Sequence, residues 1–410
     1  MFRWVFLFLL ICFVEFYAYQ AFKTVVATRW IKNTYIVISV LVIVYVAYQL
    51  MQFDRSVGQT QATLWTFGVL LIIFIPKLII TLFMLFEDIF RVLAGSFSKV
   101  VGTNTSGDFL PDRRSFVSKV ALGIAAIPFL SLLYGVTYGK YNFKVIKQSV
   151  GFADLPNAFD GFKILQISDV HCGSFDNPEK ISYAIDLINE QEFDIVLFTG
   201  DIVNTDALEI EPWIETFKRI RTPEFGKYSV LGNHDYGEYV TWSTPAKKKA
   251  NFEAIKAIHP RIDFKLLLNE SVDIIKGNQK IALIGVENWG RNFKQAGDIN
   301  KASSGLTKDD FKVLMSHDPS HWELEVKNHP KNFHLTLSGH THGMQFGIEI
   351  PGFLKWSPVQ YVYKQWAGLY EHAERFIYVN RGFGFHAYPG RVGIMPEITV
   401  LELKKIDSAV

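Results

Sequence analysis

Along the first 140 positions apolar residues arrive in four long blocks, at 4–22, 35–51, 64–86 and 120–138, with only short polar joints between them. Each block is close to the ~20 residues of helix that cross a hydrocarbon core, so the pattern predicts four transmembrane helices rather than buried helices of a water-soluble core. From about position 155 the pattern changes to short apolar runs that end in polar or glycine-rich corners. "FKILQISDVHCG" predicts a strand over Lys163–Ile167, and "DIVLFTGDIVN" and "KYSVLGNHDYG" predict two more. "KIALIGVENWG", "KVLMSHDP", "HLTLSGHTHG", "FIYVNRGFG" and "EITVLEL" supply five further strands, while "ISYAIDLINE" (181–190) has the spacing of an amphipathic helix. Strands alternating with helices predict an α/β fold with two sheets packed together and helices outside. The expected division is 1–112 with three membrane helices, 113–140 with a fourth, and 155–405 as a separate domain.

Two polar residues interrupt the apolar blocks, Glu15 and Lys77. The expectation for them is an interhelical hydrogen bond and a lysine that snorkels toward the membrane surface, not an ion path. With the N-terminus outside, the inner joints hold eight basic residues (Lys23, Arg29, Lys32, Arg91, Lys99, Arg113, Arg114, Lys119). The outer segments hold five (Arg3, Arg55, Lys140, Lys144, Lys147). Basic residues resist translocation, so this orientation puts residues from 141 onward on the non-cytoplasmic side of a plasma membrane. Arg113-Arg114 followed by "SFVSK" and an apolar run resembles a twin-arginine export signal as well as an ordinary basic flank; with no A-x-A site after it, the helix is expected to remain as an anchor.

Charge adds little: 42 basic and 40 acidic residues leave a formal net charge of +2, which speaks against nucleic acid as a partner. The two cysteines, Cys12 and Cys172, are too few and too far apart for a disulfide framework or a CxxC zinc site. Histidine is more telling, because all 11 lie after position 170. At the predicted strand ends stand Asp169, His171, Asp201, Asn233, His234, His317, His340 and His342. Carboxylate, amide oxygen and imidazole suit divalent Mn, Fe or Zn, and eight such groups exceed what one ion can hold. Two ions fit if one carboxylate bridges them. In Asp-x-His and His-x-His, alternate residues of an extended chain face the same way, so both can converge on one cluster.

Read in order, Asp169-Val-His171, Gly200-Asp201, Gly232-Asn-His-Asp235, His317 and Gly339-His-Thr-His342 resemble the motifs of the calcineurin-like metallophosphoesterase superfamily. "SDVHCG", "GNHDYG", "GHTHG" and the tail "RGFGFHAYPGRVGIMPEITVLEL" look most like its membrane-associated bacterial branch of YkuE- and YaeI-type enzymes. The block "GDIVNTD" lacks the Asp-Arg pair of the protein phosphatases, which disfavours that assignment. The resemblance implies a four-layer α-β-β-α sandwich with two divalent cations. One would be held by Asp169, His171 and His342, the other by Asn233, His317 and His340, with Asp201 bridging. It further implies that His234 meets the substrate as general acid and that Asp235 orients His234. Met344 departs from the branch, which more often has a glycine there. Arg381 and Arg391 are candidate phosphate grips, since a guanidinium can hold a phosphate through two hydrogen bonds.

The expected activity is therefore hydrolysis of a phosphodiester or pyrophosphate bond by a metal-bridging hydroxide. The membrane anchor makes a phospholipid, a lipid-linked pyrophosphate or a UDP-diacylglucosamine-like sugar nucleotide attractive, the last being the substrate of a pyrophosphatase in lipid A synthesis. Aromatics in "GFLKWSPVQYVYKQWAGLY" (352–370) either line a lipid-facing rim or pack a loop. Partners are then a phosphorylated small molecule or lipid and the membrane, with no obligatory protein partner. A different class, a non-catalytic sensor or scaffold, would show lost ligands, and none is lost.

Overall fold

The computed structural model describes residues 2–101, 111–350 and 352–407; the side chains of Arg3 and Lys99, counted in the orientation above, lie outside what is described. The chain divides into two compact units: one comprises Met1–Phe53 and Trp65–Val136, the other Asp54–Leu64 and the chain from Thr137 onward.

The first unit holds helices α1 (Phe2–Val25), α2 (Arg29–Met51), α3 (Gln61–Val101) and α4 (Pro111–Thr137), all long and apolar enough to cross a membrane. Bulky apolar side chains such as Phe8, Val37, Leu41, Leu82 and Ile127 face outward, where lipid would meet them. Ala18, Ala21, Ala121 and Ala125 are buried with Met84 where helices meet, the alanines being small residues that let backbones approach. Lys77 does not snorkel. Its Nζ lies 2.6 Å from Glu15 Oε1 and 2.8 Å from Ser39 Oγ, tying α1, α2 and α3 through one interior polar cluster. Helix α3 runs for 41 residues, well beyond the apolar block that signalled it, and its far end carries Asp88, which accepts from Arg114 of α4 at 2.8 Å. The second arginine of the export-like pair thus ties α4 to α3.

The second unit contains two six-stranded sheets. Strands β1 (Lys144–Phe152), β2 (Lys163–Ile167), β3 (Ile195–Phe198), β4 (Lys227–Ser229), β5 (Lys265–Leu266), β6 (Glu270–Lys276), β7 (Gln279–Gly285), β8 (Lys312–Met315), β9 (Leu335–Ser338), β10 (Ile348–Ile350), β11 (Leu354–Trp356), β12 (Gly368–His372), β13 (Arg375–Val379) and β14 (Glu397–Lys405) follow in chain order. One sheet runs β1-β14-β2-β3-β4-β5, the other β12-β13-β9-β8-β7-β6, and β10-β11 form a separate hairpin.

Side-chain alternation explains the layers. Leu165, Ile167, Val196 and Phe198 turn one way, against helices α5 (Pro178–Asn189), α6 (Ile214–Lys218) and α7 (Pro245–Arg261). Their neighbours Ile164, Ile195 and Leu197 turn the other way and meet Leu283, Val313, Met315, Leu335 and Leu337 of the second sheet. Ile284, Leu314, Ile377 and Val379 then pack outward against α8 (Ile299–Ala302) and α9 (Pro319–Leu324). Three apolar layers therefore separate four structural ones, the expected α-β-β-α sandwich. Strand β1 lies before position 155, where the sequence pattern suggested the domain starts; it pairs in parallel with β14, and its half-exposed residues, with Lys144 and Gln148 on one face and Lys147 on the other, hid it.

Strands β2, β3 and β4 run parallel, as do β7, β8, β9 and β13, so their carboxyl ends gather along one edge of each sheet. Buried Gln166 at the end of β2 joins the two edges, donating to Ser338 O at 2.9 Å.

Candidate metal centre

Each candidate ligand sits two to four positions beyond a strand end, and His234 five, where the backbone leaves the sheet but remains held by it. Asp169 N donates to Gly200 O (2.9 Å), His171 N to Asp201 O (3.1 Å) and Gly339 N to His317 O (2.9 Å), so the loops brace one another. The backbone is unusual here. Asp169, His171, Asp201, His340 and His342 all have left-handed φ, between 46° and 70°, without being glycine. Such conformations persist only where surrounding contacts over-determine them, and they concentrate at functional sites. Two glycines are needed for closeness: a Cβ on Gly232 would lie 2.2 Å from Asp201 Oδ1, and one on Gly339 2.1 Å from Asp169 Oδ2.

Two ligand groups result. Donor atoms of Asp169, His171 and His342 lie within 4.8 Å of one another, as do those of Asp201, His317 and His340. Asp201 Oδ2 stands between them, 3.6 Å from His171 Nε2 and 3.1 Å from His317 Nε2. Asn233 joins the second group, its Oδ1 lying 3.1 Å from His317 Nε2 and 2.7 Å from His340 Nδ1. The Asn233 amide donates to Tyr239 Oη at 2.6 Å, which fixes its oxygen toward the histidines.

The tautomers test whether cations fit. His317 Nδ1 faces the Thr199 carbonyl at 2.7 Å and so carries its hydrogen there. The remaining lone pair on Nε2 then confronts two oxygens, Asp201 Oδ2 and Asn233 Oδ1, both 3.1 Å away. Three acceptors facing one another call for a positive charge, a proton or a metal cation, between them. Burial alone would lower this imidazole, but Asp201 and Asp169 outweigh burial and push it up to about 10. Burial would likewise raise Asp201, yet His317 and His234 hold it well below the usual carboxylate range. His342 Nε2 is buried without a hydrogen-bond partner among the described residues and lies 3.3 Å from Asp169 Oδ1. The donor set and its unmet lone pairs fit two divalent cations.

His234 stands beside this cluster. Its backbone N donates to Asp201 Oδ1 (2.8 Å), its Nδ1 faces the Asn204 carbonyl (2.8 Å), and its ring stacks on Tyr239. Asp235 does not orient it: that carboxylate accepts from the backbone N–H groups of Asp201 (2.9 Å), Ile202 (3.0 Å) and Gly232 (2.8 Å), bracing the loops instead. The two arginines also depart from expectation. Arg391 is fully buried and donates to the carbonyls of Arg381, Gly382 and Gly384, while Arg381 is paired with Glu349 and Glu397, so neither guanidinium is left to grip a phosphate. In "RGFGFHAYPGR" they look like free phosphate grips because the sequence does not reveal the carbonyls and carboxylates folded around them. Met344 has φ 55° and is 58% exposed, which explains in conformational terms why glycine suits this position.

Several residues escaped the sequence reading. Asn204 touches three imidazoles: its carbonyl meets His234, and its Oδ1 meets His171 Nδ1 (3.1 Å) and His386 Nδ1 (3.3 Å). His386, 4.5 Å centroid to centroid from His234, puts a ring nitrogen within 4.8 Å of those of His234 and His171. On the other side Tyr363 Oη lies 2.8 Å and Asp318 Oδ2 3.4 Å from His340 Nε2. Asp318 directly follows the candidate ligand His317 and His386 lies in the quoted tail, and those were the available signals.

Comparison with known proteins agrees with this geometry. The profile of the calcineurin-like phosphoesterase family matches residues 162–344, and that of the calcineurin-like phosphoesterase transmembrane domain matches residues 2–140. The chain is 31% identical over 300 residues to the metallophosphoesterase YkuE of Bacillus subtilis, covering 71% of this chain and 97% of that protein. It is 26% identical over 318 residues to the transmembrane protein with metallophosphoesterase domain of Danio rerio, covering 74% and 68% of the two chains. Among solved structures, the NAD nucleotidase of Haemophilus influenzae overlaps 55% of this chain and 46% of its own with a TM-score of 0.36 and 14% identity. The chain belongs to the calcineurin-like metallophosphoesterase family, as a membrane-linked, metal-dependent phosphoesterase.

Proposed function

We propose that this protein hydrolyses a phosphodiester or pyrophosphate bond in a lipid-linked substrate, using two divalent cations drawn from Mn, Fe and Zn. The observation that carries the reading is the pair of ligand groups sharing Asp201. Asp169, His171 and His342 would hold one cation and Asn233, His317 and His340 the other. When bound, such a pair supplies Lewis acidity that activates water and neutralises phosphoryl charge. The protein's own part is geometric. His171 is fixed through Nδ1 by Asn204, His317 through Nδ1 by Thr199, and Asn233 through its amide by Tyr239, which keeps every donor atom turned inward. His234, half-buried with Nδ1 on the Asn204 carbonyl, keeps Nε2 out of that contact and is the residue to protonate the leaving oxygen.

A lipid-linked substrate is supported by the hairpin β10-β11 and its flanks. Ile348, Ile350, Phe353 and Leu354 are exposed there, as are Met344 two residues after His342 and Val362 beside Tyr363. Apolar side chains displayed beside a polar cleft suit an acyl chain next to a phosphate. Of the aromatics in this stretch, Trp366 packs inside, while Tyr361 is exposed and available to a lipid-facing rim. With the positive-inside count, the domain belongs outside the cytoplasm; a sugar-nucleotide pyrophosphatase would need it inside.

Purified protein with Mn should turn over phosphodiesters or lipid pyrophosphates, and Asp201→Asn and His340→Ala should each lower kcat/KM by at least ~100-fold while remaining folded. Activity that survives both variants, or survives chelation, would remove this reading. A panel spanning phosphomonoesters, diesters and lipid pyrophosphates ranks the substrates.

A further inference from the structure

The second unit includes a piece of the chain far from it in sequence, the segment Asp54–Leu64, which comprises most of the joint after α2 and the first turn of α3. Its side chains reach the loops of the metal centre. Gln61 Nε2 lies 3.3, 3.1 and 3.2 Å from the carbonyl oxygens of Gly173, Ser174 and Phe175, the turn that directly follows His171. Gln59 reaches two loops at once: its Nε2 donates to Ser174 Oγ at 3.2 Å and its Oε1 accepts from Ala387 N at 2.9 Å. Ala387 has φ 61° and follows His386. The backbone is docked as well, with Thr241 N donating to Arg55 O at 2.9 Å and Gly58 set so closely that a Cβ would lie 2.6 Å from Val240.

We propose that Gln59 and Gln61 are positioning residues of the hydrolytic site, so that the segment between two membrane helices is a working part of it. His171 is strained at φ 46°, and the turn after it exposes three successive carbonyls that no strand or helix satisfies; the Gln61 amide meets all three. Ser174 in turn contacts Asn204, which holds His171 Nδ1, so Gln59 acts on the same imidazole by a second route. The strap also holds the His386 loop at the same span as the His171 loop. Groups that orient a ligand in this manner are worth about 10- to 100-fold in metal affinity or activity. The inference rests on the hydrolase reading only for its turnover measurement.

The experiment uses the full chain in detergent with Gln59→Met, Gln61→Met and the double variant, each close in shape to glutamine and without its hydrogen bonds. Gln148→Met, on the exposed face of β1, is the control. The expected result is faster amide exchange at 172–175 and 386–388, Mn affinity weakened about 10-fold, and kcat reduced more than KM is raised. Gln61→Glu, which turns an acceptor toward the three carbonyls, should be worse than Gln61→Met. A double variant with native exchange at both loops and native Mn affinity overturns the inference, as does one whose melting temperature falls while Mn affinity and kcat/KM stay native. If the wild type proves to have no turnover, the hydrolase reading fails, while exchange and Mn affinity still judge the strap.

Discussion

Five cation-binding candidates adopt the left-handed conformation that non-glycine residues avoid at a cost of roughly 1–2 kcal/mol each. That strain has to be held by the loops around it, and the loops are held by backbone N–H groups on Asp235 and by close glycine contacts. Gly232→Ala places a methyl group 2.2 Å from Asp201 Oδ1, so it should displace the bridging carboxylate. The expected outcome is a folded protein whose metal content and kcat/KM both drop at least ~10-fold, checked by elemental analysis and kinetics. Asn204→Leu removes the acceptor shared by His171 and His386 and should cost about 10- to 100-fold in kcat/KM with a smaller loss of melting temperature. The candidate ligands themselves were legible in the chain because each follows an apolar run and carries a metal-binding side-chain type. Asn204 was not, because its value lies in a side chain and a carbonyl facing rings from three separate loops, which spacing along one strand end cannot show. Arg391 failed in the opposite way: a charged residue near a phosphate site looks functional until the carbonyls that surround it are seen.

At the scale of elements, His259 on α7 has a different kind of unmet chemistry. It is fully buried among Ile255, Ile258 and Phe198, and among the described residues neither ring nitrogen has a partner. Burial pulls it from 6.5 down to about 3. Between those values the unfolded chain takes up a proton that the folded chain refuses, so stability rises with pH through this window and is lost on acidification, by up to about 1.4 kcal/mol per pH unit. His259→Leu should flatten that slope: its melting temperature near pH 5 should exceed that of the wild type by more than it does near pH 7. Equal slopes would show that the imidazole is hydrated or paired in solution. Elements buried on both faces, such as β2, β3, β8 and β9, announce themselves as unbroken apolar runs. Strand β1, half exposed and studded with lysines, carries no such signal, and its pairing with β14 depends on a partner some 250 positions away. The length of α3 was hidden because the charged pair Glu87-Asp88 interrupts the apolar pattern, and its partner Arg114 lies on another helix.

For the whole molecule, hydropathy and motif spacing separate a membrane part from a chemical part, and the structure redraws that line. Eleven residues, seven from the joint after α2 and the first four of α3, belong with the hydrolase and not with the rest of the helices that flank them. Nothing in "DRSVGQTQATL" distinguishes it from an ordinary joint, because its role is read only from the carbonyls and amides that it meets. Single-cysteine variants Ser56→Cys and Lys308→Cys, in a background lacking Cys12 and Cys172, should react with a membrane-impermeant thiol reagent from the same side of sealed vesicles. Opposite labelling would mean that the strap and the hydrolase cannot touch. Helices α3 and α4 are then an excursion that leaves a folded body and comes back to it, and an excursion of that kind has an even number of crossings. The sidedness of the protein reduces to a single yes-or-no question, and one label on either piece answers it for every helix.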